Sequence, residues 1–204
     1  DHAQVRTHPV SAAYLRAIAE GEAPVNGCPV GGEPVANVIA EIMGVEAEAG
    51  EKMVAFVKCQ GDCDKAKQDY EYSGVQDCAM MAFVPNGGPK TCNYGCLGYG
   101  NCVKACAFDA IRINPETGLA EVDADKCTAC GACVKACPKG IIELRKKWPK
   151  NRAIYVSCVS KDKGAVTMKA CKAGCIGCGK CAKVCEFGAI TIENNLAYID
   201  STKC

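Results

Sequence analysis

The stretch CTACGACVKACP, residues 127–138, decides how this sequence folds. Its cysteines stand at Cys127, Cys130, Cys133 and Cys137, a C-x2-C-x2-C-x3-C run closed by Pro138. This is the ligand run of a bacterial-type [4Fe–4S] ferredoxin, in which the fourth cysteine serves the other cluster of a pair. Three thiolates at that spacing wrap one cubane, and the small residues Ala129, Gly131 and Ala132 let the backbone approach it. The fourth leaves on a short helix and reaches across. A structural zinc site is the rival, but it typically pairs two short C-x2-C knuckles across a longer gap.

The rest of the composition fits metal-held thiols. The chain has 204 residues, room for one or two domains, and 19 cysteines. An odd number of cysteines, most only two or three residues apart, is a poor disulfide framework. Thiols kept for metal imply a reducing compartment, so the cytoplasmic side is expected. A net charge of +1 gives no footprint for nucleic acid. Aromatic residues make up only 6% and glycines number 21, so clusters are expected to replace part of the hydrophobic core. No apolar run reaches the roughly 18 residues of a membrane span. A chain starting at Asp1 and stopping at Cys204 is expected to be part of a longer protein.

Upstream and downstream, the sequence divides into four parts. Residues 1–50 read as two helices: SAAYLRAIAEGEA, capped by Ser11, and EPVANVIAEIMG, with Val35, Val38, Ile39 and Ile42 on one face. Cys28 sits alone between them. Residues 51–91 form a connector with a buried strand, MVAFVKC, and a polar helical stretch, DKAKQDYEY. Residues 92–150 form a two-cluster ferredoxin-like domain. Within it AIRINPETGLAEVD reads as a hairpin, and a short strand follows Cys137. Residues 151–204 repeat the scheme: AIYVSC matches MVAFVKC, and CKAGCIGCGKCAKVCEFGAITI matches CNYGCLGYGNCVKACAFDAIRI without a gap. An internal repeat of this kind means an array of like units. The expected fold class is α+β, a small helical region followed by tandem bacterial-ferredoxin-like [4Fe–4S] modules.

Crossed ligation assigns Cys106 to the cluster of Cys127, Cys130 and Cys133, and Cys137 to a cluster begun upstream. The upstream run departs from the pattern, since Tyr99 stands where Cys178 stands in the repeat. Cys92 is the natural substitute, giving Cys92, Cys96, Cys102 and Cys137. In the second repeat Cys175, Cys178 and Cys181 form an intact triad. Its fourth ligand and the remaining partners of Cys185 are expected past residue 204, with Cys204 the first of those partners. Cys59, Cys63 and Cys78 would share an added cluster if Cys92 or Cys96 joined them; the plainer reading is three buried thiols. Cys158 and Cys171 are weaker candidates, because their repeat already holds a full triad.

His2 and His8 read as solvated. The basic run Arg145, Lys146, Lys147, Lys150 and Arg152 reads as a solvated face, with a docking patch for an acidic redox partner as the alternative. Trp148 would anchor such a contact or cover the core. No nucleophile–base pair, phosphate loop or dinucleotide fingerprint is present. The sequence moves electrons and shows no site for making or breaking bonds.

Residues 12–44, CNYGCLGYGNCVKACAFDAI and CVSKDKGAVTMKACKAGCIGCGKCAKVC together resemble the B subunit of the Rnf complex, an ion-translocating ferredoxin:NAD oxidoreductase of bacterial membranes. The likeness covers nearly the whole chain and is nearest the long, clostridial-type members with added ferredoxin modules. It implies an electron-transfer subunit that takes low-potential electrons from soluble ferredoxin and passes them to membrane subunits at the cytoplasmic face. The family also places a cluster near its N-terminus, on three cysteines and a fourth in the loop that here holds Cys28. His2, Val5 and Val10 occupy the three positions, and valine cannot ligate iron, so no cluster is expected at Cys28. The other readings are a polyferredoxin module of a soluble redox enzyme and a metal-stapled interaction module without redox chemistry.

Overall fold

Proline at the first turn of a helix costs no hydrogen bond, because that amide has no intrahelical partner. The first helix accordingly begins at Pro9 rather than after Ser11: α1 is Pro9–Ala19 and α2 is Gly32–Met43 in the computed structural model, which describes residues 9–28, 31–46, 52–147 and 154–203. The chain divides into two compact units, 1–52 and 53–204. Gly44, in the left-handed region at φ 67°, ends α2 and returns its amide to Ala40 and Glu41. The covered side of α2 falls on Ala36 and Ala40, while Val38 and Ile42 are exposed. The expected stripe is thus turned by one position, about 100° around the axis. The Tyr14 hydroxyl donates to the carbonyl of Pro24 and accepts from Gly27 N, fixing the loop that carries Cys28 to α1.

The second unit is built on three antiparallel strand pairs and short helices, so the architecture is α+β. Strand β1 (Met53–Val57) pairs with β4 (Ile142–Lys146), from Met53 opposite Lys146 to Val57 opposite Ile142. Strands β2 (Ile111–Ile113) and β3 (Ala120–Val122) form the expected hairpin. Its turn is held by Asn114 Oδ1, which accepts from Glu116 N at 2.8 Å. The buried core gathers Ala55, Ile111, Leu119, Ala120, Ile141 and Ile142 around Cys96, Cys102 and Cys133. Each buried isoleucine contributes about 1.5–3 kcal/mol, but there are few of them.

Three short helices show the repeat at the backbone level: α3 (Asn101–Lys104), α4 (Ala132–Ala136) and, in the second repeat, α6 (Lys180–Val184). Each is entered through a left-handed glycine, Gly100 at φ 77°, Gly131 at 77° and Gly179 at 73°, and carries a cysteine on its second residue. A side chain at those three places would meet the steric cost that glycine avoids. The second-repeat hairpin, β5 (Ile190–Glu193) and β6 (Leu196–Ile199), follows α6 as β2 and β3 follow α3.

Two local expectations are corrected, and one helix is added. Residues 64–72 are not helical. Asp62 Oδ1 accepts from Asp64 N and Lys65 N, and the next backbone groups pair with the second repeat, Lys67 N with Ala170 O and Lys172 N with Lys65 O. Within the second repeat a helix without a strong sequence signal, α5 (Gly164–Ala170), buries Thr167 and Ala170. In the basic run, Arg145 is buried, with Nε on Glu143 at 3.0 Å, a bond to Ile199 O at 3.3 Å and its guanidinium 5.1 Å from the Tyr198 ring centre. Lys147 Nζ donates to Ala124 O and Asp125. These two cations join elements of the fold rather than forming a fully solvated face. Trp148, Lys150 and Arg152 lie outside the described residues.

Candidate metal centres

Three cavities of similar size, about 350, 370 and 410 Å³, are each lined by four cysteines. The first brings together Cys106, Cys127, Cys130 and Cys133, the set expected from crossed ligation. Left-handed Gly131 turns the chain into α4 and carries Cys133 onto the core, while Cys106 arrives from the end of α3. The amide of Ala55 on β1 donates to Cys127 Sγ at 3.5 Å.

The second cavity holds Cys96, Cys102 and Cys137 with Cys78. The expected set differs in one member, since Cys92 lines another cavity. The reason lies in the loop before α3. Asn101 Oδ1 accepts from Cys78 N at 2.9 Å, and Asn101 Nδ2 donates to Asp77 Oδ1 at 3.0 Å. Asp77 in turn accepts from Ala79 N and Met80 N. These bonds, that to Asn101 first, hold the Asp77 carboxyl below its ordinary pKa. The loop is thereby fastened to the start of α3 with Cys78 facing the place that Tyr99 leaves without a thiol. Tyr99 instead packs near Tyr72, ring centres 6.2 Å apart.

The third cavity draws Cys59, Cys92, Cys158 and Cys171 from four separate segments. Cys59, Cys63 and Cys78, weighed together on sequence, are kept apart. Cys63 is exposed and lies at the β2–β3 turn, its thiol 3.5 Å from Thr117 O. In the second repeat, Ala197 N donates to Cys175 Sγ at 3.5 Å, and the backbone of the matching Ala120 bonds Cys96. Cys175, Cys181 and Cys185 are half-buried and Cys178 is exposed. Cys204, His2, Val5 and His8 lie outside the described residues, as does the side chain of Val10.

What could fill these cavities follows from the donors. Burial pushes the thiols of Cys92, Cys96 and Cys133 up and that of Cys102 up to about 12, the last with further contributions from Cys96 and Cys137. Free, they are neutral near pH 7; metal must displace their protons. Four sulfurs on one zinc ion stand about 2.3 Å from a single point. Among the described residues no group of three or more cysteine, histidine, aspartate or glutamate side chains closes on a single ion. In each of the three cavities four cysteines line one common space. Two buried side-chain oxygens lack a partner among the described residues, Thr128 Oγ1 and Ser157 Oγ. Thr128 lines the first cavity.

The family model of the 4Fe-4S dicluster domain matches residues 91–141 and 126–189. The B subunit of the Na(+)-translocating ferredoxin:NAD(+) oxidoreductase complex of Acetobacterium woodii is 51% identical over 187 residues, which cover 92% of this chain and 55% of that subunit. The B subunit of the ion-translocating oxidoreductase complex of Methanosarcina acetivorans is 44% identical over 193 residues, 95% of this chain and 71% of the relative. This chain belongs to that B-subunit family. The proton-translocating counterpart of Clostridium ljungdahlii, 46% identical, is covered to 66% of its length. The chain spans between about half and seven-tenths of the length of these relatives. Its cofactors are [4Fe–4S] clusters. Among the described residues no helix is long and apolar enough to cross a membrane.

Proposed function

We propose that this chain relays low-potential electrons from reduced ferredoxin to the membrane subunits of an ion-translocating ferredoxin:NAD oxidoreductase complex, on the cytoplasmic face. The observation that carries the reading is the exchange of cysteines between the first two cavities. The run ending at Cys106 supplies a thiol to the space lined by Cys127, Cys130 and Cys133, and the run ending at Cys137 supplies one to the space lined by Cys78, Cys96 and Cys102. Those are the ligand sets we assign. Cys175, Cys178 and Cys181 form a further triad, with Cys185 and Cys204 given to an adjoining centre. Bound [4Fe–4S] clusters supply reversible one-electron transfer over a wide range of potentials.

The protein does the rest. Crossing the fourth cysteines fixes the separation of the two centres, because α3 and α4 each tie one site to the other. Ile111, Ile141 and Ile142 keep water from the space between them. Backbone amides aimed at sulfur, such as Ala55 N at Cys127, favour the charged thiolate and tune the potential.

The test is metal and redox analysis of the chain purified without oxygen. Iron and sulfide in near-equal amounts, magnetically interacting signals after dithionite, and reduction by ferredoxin are expected. Cys130→Ser should damage one of the two coupled centres and interrupt ferredoxin-dependent transfer. Zinc without a paramagnetic signal, or undiminished transfer in that variant, would overturn the reading.

A further inference from the structure

We propose that Cys59, Cys92, Cys158 and Cys171 bind a further [4Fe–4S] cluster at the junction of the two repeats. Cys59 matches Cys158 in the internal repeat, and Cys92 matches Cys171. The third cavity therefore takes the same two positions from each repeat, an approximately two-fold arrangement across their junction. Neither pair belongs to the C-x2-C-x2-C-x3-C run, so no thiol is borrowed from the sites already assigned.

Glycines keep the cavity open. A methyl group at Gly61 would stand 3.2 Å from Cys171 Sγ and 3.8 Å from Cys59 Sγ; at Gly95 it would stand 3.8 Å from Cys59 Sγ and from Cys92 Sγ. The second orphaned hydroxyl, Ser157 Oγ, lines this cavity as Thr128 lines the first. Both residues precede a cavity cysteine, Ser157 before Cys158 and Thr128 after Cys127 but before Cys130, and neither has a hydrogen-bond partner among the described residues.

Charge points the same way. Lys90 is 7% exposed and lines the cavity; its ammonium donates to Gly61 O at 2.8 Å, and among the described residues no carboxylate pairs with it. A buried cation without a counter-charge is costly. A cubane held by four thiolates is a net anion and supplies that charge. A zinc ion held by the same four thiolates is the rival that metal analysis separates.

The site adjoins both modules. Cys96 N, from the second cavity, donates to Cys59 Sγ at 3.3 Å. On the other side, Cys171 precedes Cys175 by the spacing that separates Cys92 from Cys96. The proposal extends the relay and rests on the same cluster chemistry.

It is tested on the full chain reconstituted anaerobically with ferrous iron and sulfide. The double variant Cys158→Ser, Cys171→Ser should lose about four iron and four sulfide per chain relative to wild type, while keeping the interacting signals of the first two centres. Ser157→Ala should keep all its iron and shift the potential of one centre, which keeps the proposal testable if the double variant fails to fold. Unchanged iron in the double variant, unshifted potentials throughout in Ser157→Ala, or zinc lost with the two thiols would each overturn it. If the wild type holds only the iron of the other sites, this proposal fails and the relay stands; if it holds none, both fail.

Discussion

The cavity of Cys106, Cys127, Cys130 and Cys133 and the cavity of Cys59, Cys92, Cys158 and Cys171 are alike in size and in donors, and opposite in construction. The first takes three thiols from seven consecutive residues, arranged by one left-handed glycine and one turn of helix. The second takes its thiols from four segments that meet only when α5 and the Asp62 turn lie side by side. A site built locally needs little of the fold. A site built from distant segments both depends on the fold and holds it, because closing long loops costs chain entropy that the metal must offset.

The harshest way to break the comparison is to remove the iron. Few large apolar residues are buried in the second unit, so its described elements should lose their packing when the metal is chelated. Hydrogen exchange should rise throughout β1–β4, by about the full unfolding free energy of a small domain, 5 kcal/mol or more. Helices α1 and α2 belong to the other compact unit, and their exchange should change little. Unaltered protection in β1 and β4 would mean that the apolar core suffices.

A narrower break is Asn101→Ala. It removes the acceptor of Cys78 N and the donor to Asp77, leaving the Cys78 loop unfastened. The loss of a part-buried hydrogen bond with its partner left unsatisfied is about 1–3 kcal/mol. Iron in the second cavity should be released faster to a chelator than in wild type, while the first cavity, whose lining does not include Asn101, keeps its rate. Equal release rates at both would detach Cys78 from the second site.

These sites differ in how far sequence reveals them for the same reason that they differ in construction. Cys127, Cys130, Cys133 and Cys137 announce themselves by spacing, and Cys106 follows from the exchange rule. Tyr99 shows plainly that the upstream run lacks a thiol. Proximity in sequence then favours Cys92, yet Asp77 and Asn101 make Cys78 the neighbour in space. The signal for the junction site was present in the alignment of the repeats, where Cys59 faces Cys158 and Cys92 faces Cys171. Read separately, each is a lone thiol; only the meeting of the repeats, through Lys67 with Ala170 and Lys172 with Lys65, makes them a set. The polar stretch 64–72 was misleading for a related reason. Its composition suits a helix, but its backbone bonds are taken by a distant partner.

The local site has a backbone signature that can be pushed in both directions. Gly131 is left-handed with only Leu144 Cδ1, at 3.9 Å, near an added methyl, so Gly131→Ala meets backbone strain and no clash. It should destabilise by about 1–2 kcal/mol. Ala129, two residues earlier, is itself left-handed at φ 56°. Ala129→Gly relieves that strain and should stabilise by up to about 1 kcal/mol, less the entropy gained by the unfolded chain. Thermal unfolding of the two variants should move in opposite directions. Movement in the same direction would mean that cluster contacts, not φ, set the preference at these residues.

The smallest expected effect sharpens the comparison at the level of potential. Lys139 is part-buried, which lowers its ammonium's pKa, and its Nζ donates to Asn93 O at 2.7 Å. The thiols whose charge it feels are Cys92, Cys78 and Cys137: one from the junction site, two from the second cavity and none from the first. A nearby cation favours the reduced, more negative state of a cluster, so Lys139→Met should lower the potentials of the second and junction centres. Partial exposure screens the charge, and the effect should be on the order of 1 kcal/mol. The centre of Cys106, Cys127, Cys130 and Cys133 should keep its potential. A titration that moved all three centres equally would show that Lys139 acts through the whole unit rather than through its neighbours. A shift confined to the second centre alone would leave Cys92 without a cluster, and so return the decision to the junction site.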